Sequence, residues 1–135
     1  MHGGHDDTEP VATAVNDVGR AVMDAAFKVH RTLGPGLLES VYEACLAEEL
    51  KHAGVRVERQ VGVPVTYGDL RIDVGYRLDL LVEGCVIVEI KSIDALASIH
   101  TSQILTYLRF SGVRLGYLIN FNTARLKDGF RRLVL

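Results

Sequence analysis

Apolar residues fall first at helical and then at strand spacing along this chain. Val18, Val22, Ala25, Ala26, Val29 and Leu33 recur every three or four positions, which predicts an amphipathic helix over 17–33. Gly34-Pro35-Gly36 stops it. Leu38, Val41, Tyr42, Cys45 and Leu46 predict a second helix over 37–53, closed by Gly54. The spacing then changes. Residues 55–61 alternate, and Pro64 to Tyr67 reads as a short edge strand because proline cannot donate to a ladder. Gly68-Asp69 reads as a turn, and segments 70–82 and 85–91 flank Glu83-Gly84 as a tight hairpin. Ile99, Ile104, Leu105 and Leu108 predict a third helix over 95–110. A near-continuous apolar strand over 115–121, a loop and a last short strand over 130–134 complete the chain. The exposed edge of that last strand suits pairing across a homodimer interface. The order predicts a single α/β (α+β) domain over 17–135, with a mixed central β-sheet flanked by helices. Residues 1–16 are expected to form a flexible tail, in which His2 and His5 would bind metal only adventitiously.

The hairpin, YRLDLLVEGCVIVEIKS, breaks its apolar pattern with Asp79, Glu89 and Lys91. Strict alternation puts Leu78, Leu80 and Val82 on one face, with Arg77, Asp79 and Leu81 on the other. Glu89 and Lys91 share a face with Cys85 and Ile87, so Asp79 and Glu89 fall near each other across the pair. Two carboxylates at one spot repel, and each resists burial. A Mg²⁺ or Mn²⁺ ion would relieve both costs, since such ions keep several waters and take one or two protein carboxylates plus substrate phosphate. Lys91 would then orient a water or stabilise a developing oxyanion. The competing reading is an ion pair of Lys91 with Glu89 or Asp79 at a sheet edge.

Composition narrows the classes. The 48% hydrophobic and 24% charged residues among 135 suffice for one globular core. A net charge of −2 gives no global argument for nucleic-acid binding. Its distribution is uneven: Asp6, Asp7, Glu9 and Asp17 lie near the start, and Arg109, Arg114, Arg125, Lys127, Arg131 and Arg132 near the end. That basic third would suit phosphates, or simply a solvated surface. Cys45 and Cys85 lie in apolar runs without a CxxC pair, so they read as buried free thiols suited to a cytoplasmic location. No apolar run is long enough to span a membrane, and no signal-peptide, P-loop or GxGxxG pattern occurs.

Asp79 followed by Glu89-Ile90-Lys91 resembles the PD-(D/E)xK nuclease signature, with Leu78 where the strict form has proline. That resemblance implies a restriction-endonuclease-like fold in which Asp79 and Glu89 bind the metal and Lys91 serves the attacking water. Gly36-Leu37-Leu38-Glu39-Ser40-Val41-Tyr42 is similar to the motif that names the GxxExxY family, placed in the same superfamily, and the likeness runs over residues 17–135. It implies that Glu39, from the first core helix, joins the metal site. Glu43 lies one turn on, about 6 Å away, and would act beside Glu39 or in its place; a first-turn acid that merely favours the helix dipole is the alternative for Glu39. Tyr42 is expected to pack its ring and tether through its hydroxyl. Gln103 and Tyr107 look like the QxxxY pair of RecB-like members and share a helix face; a half-buried tyrosine on an amphipathic helix is the plainer alternative. His100, at a helix start, reads as a cap or a surface residue and not as a ligand. The implied activity is a Mg²⁺- or Mn²⁺-dependent nuclease acting on DNA or RNA. A nucleic-acid-binding or protein-interaction module without efficient turnover, and a nucleotide phosphohydrolase, are the competing functions.

Overall fold

A computed structural model describes residues 11–135. Helix α1 (Thr13–Leu33) begins four residues before the apolar periodicity does. Its first turn is secured by Asn16, whose N–H reaches Ala12 O and whose Nδ2 reaches Val11 O at 3.1 Å. Residues 13–16, expected in the tail, are therefore helical, while His2 and His5 lie outside the described residues. Gly34, at φ 69, ends α1 by donating to His30 O. Helix α2 (Glu39–His52) follows, then strands β1 (Val57–Tyr67), β2 (Leu70–Val82) and β3 (Val86–Lys91), helix α3 (Ser98–Ser111), strand β4 (Leu115–Asn120), a 3₁₀ turn (Leu126–Gly129) and strand β5 (Phe130–Val134).

The sheet order is β1-β2-β3-β4-β5. Only β3 and β4 run parallel, joined by α3 as the crossover, so the sheet is mixed as expected. Segments 55–61 and 64–67, expected as two strands, are one strand. A bulge between Val63 and Val65 absorbs Pro64 on the β1 edge, where its missing donor costs nothing.

Helices α1 and α2 cover one face of the sheet. Val22, Ala26, Val29, Tyr42, Leu46 and Leu50 pack there against Leu80, Val82, Val88, Ile90 and Ile119. Helix α3 covers the other through Ile104 and Leu108, against Val63, Leu78, Ile87 and Leu118. Leu38, Val41 and Ile99, expected to pack, are exposed: Leu38 and Ile99 sit at the entries of their helices, before the buried stripes begin. Cys45 and Cys85 are free and half-buried.

The alternation assigned to the hairpin fails at one point. Leu78 packs under α3, yet Leu80 and Val82 pack under α1 and α2. Strand β1 switches in step, with Val57 on the α1/α2 side and Val61 and Val63 on the α3 side. Between the registered pairs Arg59–Leu80 and Val61–Leu78 stands Gln60, with φ 53, opposite Asp79. A left-handed residue in a strand turns the backbone out of its pleat. The switch therefore falls on the charged residue that the sequence had singled out.

Candidate active site

The β2–β3 ladder ends at Leu80–Val88, one residue short of Asp79. Beyond it the Asp79 side chain substitutes for a strand, since Oδ2 accepts from Ile90 N at 2.8 Å. Oδ1 accepts from the Gln60 amide at 3.3 Å. Burial raises the Asp79 pKa, with the charges of Glu43 and Glu39 adding to it and the Ile90 and Gln60 donors opposing it.

Glu89 lies in β3, 8% exposed, and its Oε1 has no partner among the described residues. An orphaned buried carboxylate oxygen is costly. Accordingly its pKa is pushed up to about 8, first by burial and then by the Asp79 charge; Lys91 and the Asp79 backbone N–H draw it partly back. The two carboxyls thus lie against each other across the hairpin, each charge disfavouring the other. Lys91 is half-buried two residues on, and among the described residues it forms no ion pair with either acid. The sheet-edge ion-pair alternative is not what forms.

The GxxExxY segment builds the third side. Tyr42 is fully buried and stacks on Phe121, centroids 4.5 Å apart. Its hydroxyl donates to Gly34 O at 2.6 Å and accepts from Leu37 N at 3.2 Å. This ties the 34–37 loop down, with Gly36 at φ 100, a conformation that glycine adopts readily. Glu39 is thereby fixed at the entry of α2. Its Oε2 accepts from Ser92 N at 3.2 Å, and Ser92 Oγ donates to Leu37 O at 2.6 Å. Glu43, one turn on and 8% exposed, has both oxygens engaged, Oε2 by Arg59 Nε at 3.1 Å and Oε1 by Gln60 at 2.7 Å.

Tyr107 on α3 closes the site from the other layer. Burial raises its pKa, followed by the charges of Glu89 and Asp79. Tyr76 stacks on it at 4.3 Å and donates to its carbonyl, which fixes the ring. Gln103, one turn earlier, is half-buried and makes no hydrogen bond among the described residues. His100 is the cap expected of it, its Nδ1 accepting from Ala97 N.

Three residues of the site carried no assignment from sequence. Gln60 bridges Asp79 and Glu43. Arg59 holds the outer oxygen of Glu43. Asn120, 1% exposed, fastens the segment after Lys91: its Oδ1 accepts from Ile93 N and Asn122 N, and its Nδ2 donates to Ile93 O at 3.0 Å. An asparagine ending an otherwise apolar strand was a readable signal for that role. Among the late arginines, Arg125 pairs with Asp128, Arg131 bonds Asp128 O and Phe130 O, Arg132 bonds Asn16, and Arg114 bonds Leu135 O.

Among the described residues no three Asp, Glu, His or Cys side chains form a ready metal cage. The donors nevertheless fit a small hard cation that keeps most of its water. They are all carboxylate oxygens, one is orphaned, and two are crowded enough to gain from a positive charge between them.

A family model described as the PD-(D/E)XK nuclease superfamily matches residues 16–133. No curated protein and no solved structure matches the chain.

Proposed function

The chain belongs to the PD-(D/E)XK nuclease superfamily, and from that premise we propose that it is a divalent-cation-dependent nuclease of the GxxExxY branch, hydrolysing phosphodiester bonds of DNA or RNA. One observation carries the proposal: the buried Glu89 oxygen that has no partner among the described residues, set against Asp79 and near a Lys91 that forms no ion pair among them. A structural ion pair would have used Lys91 to neutralise Glu89. Here, among the described residues, Lys91 closes no ion pair and only draws the Glu89 pKa partly back from a longer distance.

Asp79 and Glu89 would hold Mg²⁺ or Mn²⁺, with Glu39 at the entry of α2 as a further oxygen donor. Glu43, already bonded by Arg59 and Gln60, supports the site from behind. The ion supplies Lewis-acid polarisation of the phosphodiester. Lys91 donates to the attacking water and aligns it on the phosphorus, and its charge stabilises the oxyanion that develops. Tyr107 and Gln103 present hydroxyl and amide donors along one face of α3 for a phosphate oxygen. Arg109 and Arg131 offer backbone contacts, which would make binding fall with salt. The GxxExxY assignment is supported by the work its three named residues do, since Gly36 and Tyr42 shape the loop that sets Glu39. Two free cysteines and the lack of any helix long and apolar enough to cross a membrane, among the described residues, suit a cytoplasmic enzyme.

The deciding experiment is cleavage of single- and double-stranded DNA and RNA with Mg²⁺ or Mn²⁺ by the wild type, Lys91→Ala and Asp79→Ala. Each variant should lose roughly a hundredfold or more. Undiminished metal-dependent cleavage by both variants would sink the assignment. Salt-sensitive binding by the wild type without turnover under any metal would mark a binding module instead.

A further inference from the structure

Gln60 is out of place by every local rule. It sits on an edge strand, yet its φ is 53, a conformation that a side chain-bearing residue keeps only where its surroundings hold it there. Both neighbours are in register with β2, so the departure is confined to this residue and to Asp79 opposite. Its amide nitrogen donates to Glu43 Oε1 at 2.7 Å and to Asp79 Oδ1 at 3.3 Å. One NH₂ group carries two protons, and the two carboxylates accept both.

We propose that Gln60 is a positioning residue of the acidic site: its amide cross-links α2 to the Asp79 hairpin and holds the Asp79 carboxyl aimed before any cation or substrate arrives. This rests on the nuclease reading of the site. The chemistry of the amide explains the choice of residue. A lysine or arginine at this position would neutralise Asp79 and compete with the cation. A glutamate would repel both acids. A neutral donor orients the carboxylates while leaving their charge available. Arg59, the preceding residue, engages only the other oxygen of Glu43. With the left-handed backbone, this exposed residue on the sheet edge lays its amide across the two carboxylates.

Two substitutions separate positioning from a backbone role. Gln60→Gly relieves the left-handed conformation and removes the bridge. Gln60→Asn keeps an amide and tolerates that conformation better than glutamine, but lacks a methylene of reach. Both should fold, with melting temperatures in EDTA no lower than that of the wild type for Gln60→Gly. Both should bind Mn²⁺ roughly ten- to a hundredfold more weakly by isothermal titration, the usual loss when a ligand's supporting hydrogen bond is removed. Turnover should fall with KM unchanged. Wild-type Mn²⁺ affinity and turnover in both variants would overturn the proposal. If the wild type itself binds no Mn²⁺, the metal reading fails. The bridge is then read in EDTA, where Gln60→Gly and Asp79→Asn should be non-additive in melting temperature; additivity overturns it.

Discussion

At the scale of single residues the site is defined by what Glu89 lacks. It is buried, faces Asp79, and has an oxygen that no described residue satisfies. Its pKa of about 8 in the fold, against an ordinary 4.5, has a direct consequence for stability. Between those values the native protein holds a proton that the unfolded chain has released, so native stability must fall as pH rises through the interval. Asp79, also raised, contributes with the same sign. In EDTA the melting temperature should decline from about pH 5 to about pH 8, by an equivalent on the order of a few kcal/mol. Glu89→Gln should remove most of that slope and be relatively most stabilising at the alkaline end. Circular dichroism melts across pH check this, and parallel curves for the two proteins would show that Glu89 is not the group responsible. Adding Mn²⁺ should flatten the wild-type slope, since a cation favours the ionised pair.

At the scale of elements, the GxxExxY segment behaves as one device. The Tyr42 ring belongs to the core, and its hydroxyl belongs to the loop before α2. Tyr42→Phe keeps the stacking on Phe121 and deletes both hydrogen bonds of the loop. It should cost about 1–2 kcal/mol in urea denaturation and reduce cleavage through a displaced Glu39; full activity at unchanged stability would show that the hydroxyl is idle. This element was legible because its signals are local: a glycine where φ is positive, an acid in the first turn, an aromatic one turn later. The hairpin was legible for the same reason, through its turn residues and alternation. The failure at Leu78 was not, because alternation assumes a uniform pleat and nothing in the identity of Gln60 announces a φ of 53. For the same reason Gln60 itself escaped notice. Its role comes from two carboxylates far along the chain, one in α2 and one in β2. The late arginines are a different case. They cluster in sequence, and in the fold Arg114 also bonds Leu135 O while Arg132 bonds Asn16 of α1, contacts that no local signal announced.

At the scale of the whole molecule, the site depends on how closely the helical layers lie on the sheet. One tight approach is at Gly19 of α1, which lies against Leu115 and Tyr117 of β4. A Cβ there would lie 2.5 Å from Tyr117 Oη and 2.9 Å from Leu115 Cδ2. Tyr117 has little room to yield, being 3% exposed and packed against the Phe130 ring at 5.0 Å. Two effects of Gly19→Ala therefore oppose each other. Alanine gains about 1 kcal/mol of helix propensity over glycine. Forcing a methyl into a filled layer costs about 1–3 kcal/mol. With both contacts inside the normal approach of carbon atoms, overpacking should win and the variant should be less stable than the wild type. Tyr117→Phe removes the nearest obstructing atom, so Gly19→Ala should be much less harmful in that background, a positive coupling readable by a double-mutant cycle in urea. If the two substitutions add, the contact is relieved elsewhere and α1 is free to ride outward. The cycle thus tests whether the α1 layer is rigid. Rigidity matters to the chemistry because β4 pairs with β3 at Glu89–Leu118 and Lys91–Asn120. A shift of α1 against β4 would load that ladder at the two residues on which the proposed hydrolysis depends.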